Sequence, residues 1–514
     1  MLHSEKRSSH ALVPRILCAI LAALTVVGIA GCSDGTPDDA DITVAEAPGT
    51  TVPAADTTIS AADLPPEEIN RENAVISLPE LDFNGSVINI LYPGEDAYAQ
   101  DIVAAEINGD VVNDAVYKRN LAVEDLLEVK LNPISYSDST QETSKHLATV
   151  SQAQEDLYDL CAVHQAYTIK NVADGFFHNF ADDKYIDWEK PWWDTEYMKE
   201  MVVGDNRIFF LIGDISLMRM KSLACIYYNK DMYEAMYGKP DELYDIVFNG
   251  DWTFEKFDQL TREAYNDVNG NGKVDEGDRF GAYGTKGGKS VEHYFYGAGI
   301  VTTTKNTDGI PELDMYNEKT VGFTELLHKL YYQNDGFTIA TSDYFDKEIS
   351  AFIGGNYLFA PTWFRHAEQF REMQTDYGII CMPKYDAEAE YTTLVHNGTT
   401  IYVSPVTSKK LDMIGAVCEA MAFYNYKGVT PAYYEVALKV KYSRDDKTAQ
   451  MLDLINDSAF TNFGYVYASM MDSLPYFRSF VKAGATDYTS WYKSKEAAAL
   501  AALEKIVNVY TALD

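Results

Sequence analysis

From Val87 onward, short apolar runs alternate with amphipathic stretches, and this order restricts the fold more than any other feature of the sequence. Val87–Tyr92 suits a buried strand. Val112, Ala115, Val116, Ala122, Val123, Leu126 and Leu127 then fall on one helical stripe. A second strand is expected over Val129–Ile134, a helix over Glu142–Gln154, and a third strand over Leu157–Val163. The sequence β-α-β-α-β predicts a mostly parallel sheet covered by helices. Further strand candidates lie at Arg207–Ile212, Leu223–Tyr228, Tyr357–Ala360, Gly378–Met382 and Thr399–Val403, with a last helix over Ser494–Ala512. No internal repeat is present. A chain of 514 residues exceeds one small core, so two lobes are expected.

A net charge of −36 excludes a general grip on nucleic acid, which needs an excess of Lys and Arg. It leaves a neutral ligand open. Aromatics are 13% of the chain, enough for a core and for a surface that stacks on sugar rings. Cys161, Cys225, Cys381 and Cys418 show no short metal-binding spacing and read as buried thiols.

Lys6, Arg7 and Arg15 precede an apolar run from Ile16 to Ala30, too short for a comfortable membrane span. The run reads as a signal peptide covering residues 1–31. Its end, Ile29-Ala30-Gly31-Cys32, resembles the lipobox of bacterial lipoproteins, which implies Cys32 as the diacylated first residue of the mature chain. Residues 32–78 are rich in Ala, Thr, Asp, Pro and Gly without a helical or strand pattern, and are expected to be a disordered tether.

Asp267-Val268-Asn269-Gly270-Asn271-Gly272-Lys273-Val274-Asp275-Glu276-Gly277-Asp278 has the spacing of a twelve-residue calcium loop. Oxygen ligands are expected from Asp267, Asn269, Asn271, the Lys273 carbonyl, Asp275 and Asp278, with Gly272 at the sharp turn. Thr253 caps a helix before the loop, but Arg279–Gly284 is too glycine-rich to continue as a second one. The loop therefore predicts a structural Ca²⁺ clip rather than a paired sensor. Tyr283–Ser290 ends like a phosphate loop but carries Tyr where the first glycine belongs, and is rejected. HExxH, GxSxG and a strand-to-helix GxGxxG are missing.

Four stretches are similar to extracellular solute-binding proteins of bacterial ABC transporters, the sugar-binding lipoprotein type. They are Asn113–Asn120, Tyr227-Tyr228-Asn229-Lys230-Asp231-Met232, Gly250-Asp251-Trp252-Thr253-Phe254, and Phe352–Tyr357 followed by Pro361-Thr362-Trp363-Phe364. The resemblance covers about residue 80 to the C-terminus. It implies a periplasmic-binding-protein-like α/β fold of class II type, two lobes joined by hinge strands around a cleft. Lobe 1 would hold residues 80–224 and about 392–430, and lobe 2 residues 225–391 and about 431–514 with extra helices. The crossings would fall near Leu223–Tyr228 and Tyr391–Val403. The resemblance also places Trp363 where an aromatic stacks on sugar.

Other cleft candidates are Glu95 and Tyr98 after the first strand, His164 after the third, Trp192 and Trp193 in a Pro-led turn, Asp214 after a glycine that follows an apolar run, and Arg365 just past Trp363. Trp252 is expected in the core. The leading expectation is a non-enzymatic, lipid-anchored, monomeric protein on the outer face of the membrane, delivering a sugar or oligosaccharide to a permease. The competing expectation is a secreted lipoprotein enzyme that hydrolyses polysaccharide with two carboxylates.

Overall fold

The computed structural model describes residues 69–204, 207–285, 290–340, 342, 345–371, 373–438 and 446–513. The leader, Cys32, most of the tether and residues 286–289 of the rejected phosphate loop lie outside the described residues.

In chain order the strands are β1 (Ser86–Tyr92), β2 (Val129–Ser135), β3 (Leu160–His164), β4 (Ala224–Asn229), β5 (Ala282–Thr285), β6 (Thr303–Lys305), β7 (Pro311–Leu313), β8 (Phe337–Ala340), β9 (Phe359–Trp363), β10 (Tyr377–Ile380), β11 (Thr393–Leu394), β12 (Thr400–Val403) and β13 (Ala459–Phe460). The first helices are α1 (Asp96–Ala99), α2 (Val111–Leu127), α3 (Thr140–Gln152) and α4 (Gln165–Ala173). Helix α2 starts because the Asp110 carboxylate accepts from the N–H groups of Val112 and Asn113. It buries Val112, Val116, Val123 and Leu127. The crossover it makes brings β2 parallel to β1, Ser86 facing Val129.

The first sheet has the order β12-β3-β1-β2. Strands β1, β2 and β3 are parallel, and β12 returns antiparallel with Thr400 opposite His164. On the far side of β12, Leu211 bridges Tyr402. A second sheet, β10-β4-β9, has β4 antiparallel to both neighbours. The parallel pair β5–β8 joins its edge where the Phe359 N–H donates to Gly281 O at 2.7 Å. Every residue of β3, β4, β9 and β12 is buried, as expected for strands covered on both faces. The chain passes between the sheets twice, and the passes touch: Leu223 bridges Val395, and the His396 N–H donates to Ser222 O at 2.9 Å.

The C-terminal segment spans both bodies. Strand β13 pairs with β11, the 463–467 helix packs on α4, and the 446–457 helix packs on β10. Asn462 pins this segment. Its Oδ1 accepts from the N–H groups of Thr302 and Thr303 at 3.2 and 3.1 Å, and its Nδ2 donates to Glu200 Oε1 at 3.2 Å. The tether ends earlier than composition suggests. Residues 69–78 lie on the body: Ala74 is buried, Lys427 donates to the carbonyls of Glu72 and Ala74, and Ser77 bonds Asp187. The polar sequence hid this because main-chain carbonyls make the contact with Lys427.

Replacing Asn462 by Ala strips the acceptor from two buried N–H groups. The expected outcome is a loss of about 2–3 kcal/mol in urea unfolding with an unchanged m-value.

Candidate functional site

Two strand ends of the first sheet and one of the second meet beside the crossing. After β1 the chain turns through Glu95 into α1, which carries the buried Tyr98. Strand β3 ends at His164, which precedes the first turn of α4 and Tyr167. The rings form a row, with Tyr98 and His164 5.9 Å apart and His164 and Tyr167 4.4 Å apart. Tyr167 is 40% exposed, so its face is open to solvent. The Tyr98 hydroxyl donates to Gly398 O at 2.6 Å, tying the row to the returning chain. A Cβ on Gly398 would sit 2.7 Å from His396 Nδ1 and 3.3 Å from His164 Nε2, so the return fits between the two imidazoles only as glycine.

From the second sheet, β9 delivers Trp363. Sequence reasoning expects an indole open to the cleft, but Trp363 is 2% exposed. His293, His366 and His396 surround it at centroid distances of 5.2, 5.7 and 5.1 Å. The Arg365 guanidinium lies over the ring at 4.7 Å. In this conformation the polar group beside the cleft is Arg365, with the indole beneath it. Arg365 acts on Tyr98: burial drives that phenol well above its ordinary range, and the Arg365 charge opposes the shift. Glu95 is exposed on the rim near Tyr98.

Trp192, Trp193 and Asp214 occupy a different place. The buried Glu419 accepts from Trp192 Nε1 at 3.1 Å and from Trp193 Nε1 at 2.8 Å. Burial pushes the Glu419 carboxyl up to about 7 against the pull of the two indole N–H groups. These tryptophans clamp a helix to a turn. Asp214 accepts from Thr430 Oγ1 at 2.5 Å, and burial raises its pKa. Gly213 has φ +142°, and a Cβ there would meet Trp192 O at 2.2 Å. This group lines a polar cavity of about 530 Å³ with Arg71, Asn456 and an Arg219–Asp194 pair at 2.7 Å.

The structure thus gathers Tyr98, His164, Trp363 and Arg365, and keeps Trp192, Trp193 and Asp214 apart. Sequence reasoning missed Tyr167, His293, His366 and His396. Tyr167 had a signal, one helical turn past a strand end. His366 follows Trp363 by three residues, whereas His293 and His396 had no signal, because segments distant in sequence bring them to the indole.

The 267–278 loop is closed at its neck by an antiparallel bridge between Asn266 and Arg279. The Asp267 carboxylate accepts from the N–H groups of Gly270, Asn271 and Gly272. Asp278 is 1% exposed; its Oδ2 accepts from Tyr265 and from the Asp275 N–H, while its Oδ1 has no hydrogen-bond partner. The Asn269 and Asn271 amides donate to Asp275 at 2.9 and 2.6 Å. Among the described residues no three His, Cys, Asp or Glu side chains converge, so a cation here would also need the Asn oxygens and the Lys273 carbonyl.

No family model matches the sequence, and no curated protein does. Solved structures match the fold. A cyclo/maltodextrin-binding protein complexed with maltotetraose is 12% identical, with a TM-score of 0.53 over 83% of this chain and 97% of that one. UspC of M. tuberculosis is 14% identical, with a TM-score of 0.53 over 81% of this chain and 100% of that one. An ABC transporter solute-binding protein from Thermotoga lettingae, bound with α-D-tagatose, is 14% identical, with a TM-score of 0.52 over 83% of this chain and 100% of that one. The architecture is therefore periplasmic-binding-protein-like: two α/β lobes joined by hinge strands.

Burial, reinforced by the neighbouring Arg365 charge, lowers His366 from 6.5 to about 3. Between those values the unfolded chain binds the extra proton, so stability falls as pH drops below 6.5. Between pH 7 and pH 5 the intact protein should lose about 2 kcal/mol more in urea midpoints than His366→Gln does.

Proposed function

We propose that this chain is the solute-binding component of an ABC-type importer, capturing a carbohydrate between its two lobes and releasing it unchanged. The observation that carries this reading is the meeting of Tyr98, His164 and Tyr167 from the first sheet with Arg365 from the second, beside the crossing at Leu223 and Val395. A ligand touching both groups favours the closed arrangement, because closure is selected by contacts made in that state alone. Tyr167 offers the ring face on which a sugar stacks, and Tyr98 lies in line behind it. The fold neighbours include proteins whose bound ligands are maltotetraose and α-D-tagatose, which supports carbohydrate as the solute class. The lobe boundaries near Leu223 and Val395 belong to this reading.

The same reading assigns the leader and Cys32 to a lipid anchor on the outer face of a membrane, with a permease as the receiving partner. Among the described residues no helix is long and apolar enough to cross a membrane. The 267–278 loop acts as a calcium brace. Its all-oxygen donor set suits a hard cation, and the buried orphan Oδ1 of Asp278 is the atom a cation would satisfy. The metal would neutralise clustered carboxylates and hold the neck between a helix and β5.

A thermal-shift screen of the mature chain against oligosaccharides tests the function. A cognate sugar at about 100 times its Kd should add about 2.7 kcal/mol of stability and be recovered intact. Tyr167→Ala should weaken binding at least tenfold with an unchanged melting temperature. Recovery of cleaved sugar would refute the reading. Chelation should lower the melting temperature by a few degrees, calcium should restore it, and Asp267→Ala should abolish both responses.

A further inference from the structure

The chain has 42 Lys and Arg against 78 Asp and Glu, so a cation without a carboxylate stands out. The partly buried cations near the hinge are engaged. Lys221 pairs with Glu368 at 3.1 Å, Arg219 with Asp194 at 2.7 Å, and Arg478 with Glu292 at 3.1 Å. Arg119 donates to Asn425 and to Asp101 O. Arg365 differs. Its guanidinium makes no ion pair and no hydrogen bond among the described residues, and its contact is the stack on Trp363 at 4.7 Å. The acids around it are occupied or set back. Glu368 is held by Lys221, and the Asp101 carboxylate by the N–H groups of Leu217 and Met218. Glu95 is exposed on the rim, where solvent screens it.

The contact with the Trp363 ring holds the guanidinium in place, and its N–H groups have no partner among the described residues. The guanidinium has five donors and no acceptor, and matches a carboxylate in bidentate geometry. Sugar hydroxyls alone would satisfy the donors without balancing the charge. A planar anion does both, and the exposed Tyr167 is placed to meet the ring that bears it.

We propose that the ligand is an acidic saccharide whose uronate carboxylate seats on Arg365, with Trp363 as the shelf that orients the guanidinium. This rests on the binding reading above and narrows its solute class. The test uses the mature protein and a panel of oligouronates, each paired with its carboxyl-reduced, neutral counterpart, in isothermal titration. The expected result is at least thirtyfold tighter binding of one uronate than of its reduced form. Raising the salt should narrow that gap. Arg365→Gln should weaken the uronate at least tenfold more than its reduced form, so that the preference is lost, and Arg365→Lys should recover part of it. Urea midpoints for both variants confirm folding. Equal affinity for a uronate and its reduced form, or a preference that survives Arg365→Gln, overturns the inference and leaves the carbohydrate reading standing. Failure of every saccharide, acidic or neutral, overturns the carbohydrate reading and this inference with it.

Discussion

The antiparallel contact of Leu223 with Val395 lays the two passes between the lobes side by side, and the other features near the site follow from where those passes enter and leave. Leu223 leads into β4, the central strand of the second sheet. Val395 leads through Gly398 into β12, the strand beside β3 in the first. Because β3 ends at His164 opposite Thr400, the returning chain has to run past the strand ends from which loops project. Loops at such ends are where ligands of this kind of sheet bind. The Tyr98–Gly398 hydrogen bond and the imidazoles around Gly398 are consequences of that route.

The C-terminal segment ties the two sheets together. It contacts both, and buried polar pins add to the packing of side chains such as Phe463, Phe477 and Leu503. Glu292, fully buried in the second lobe, pairs with Arg478 at 3.1 Å; burial raises the Glu292 pKa and the arginine opposes the rise. Asn397 on the returning chain donates to Tyr476, so a residue of the hinge region is bonded directly to the added segment. Removing one partner of a buried pair costs more than the pair contributes, which makes these contacts specific rather than merely adhesive. The net charge of −36 is compatible with this because the unpaired acids are mostly at the surface, where water and salt screen them.

Local patterns recovered much of the scaffold. The first three strands, α2 with its apolar stripe, and the Thr253 cap were legible, since each depends on residues close in the chain. The site was legible in part. Tyr98 and His164 follow strand ends, and the alternation that reveals a strand reveals its end. Trp363 came from the resemblance, which did not reveal its burial under Arg365. Trp192 and Trp193 read as stacking platforms because an aromatic in a Pro-led turn looks exposed. A buried glutamate 227 and 226 positions away captures both indoles instead.

The sequence by itself determined the alternating α/β order, the acidic character of the chain and the loop with calcium spacing, because these are set by neighbours a few residues apart. The tertiary structure alone decided which side chains face one another across the hinge. It brought residues near positions 98, 164, 363 and 398 together and gave the face of Trp363 to a guanidinium. Contacts of that kind depend on how two separately formed sheets meet, and a one-dimensional pattern does not encode a distance between strands hundreds of residues apart.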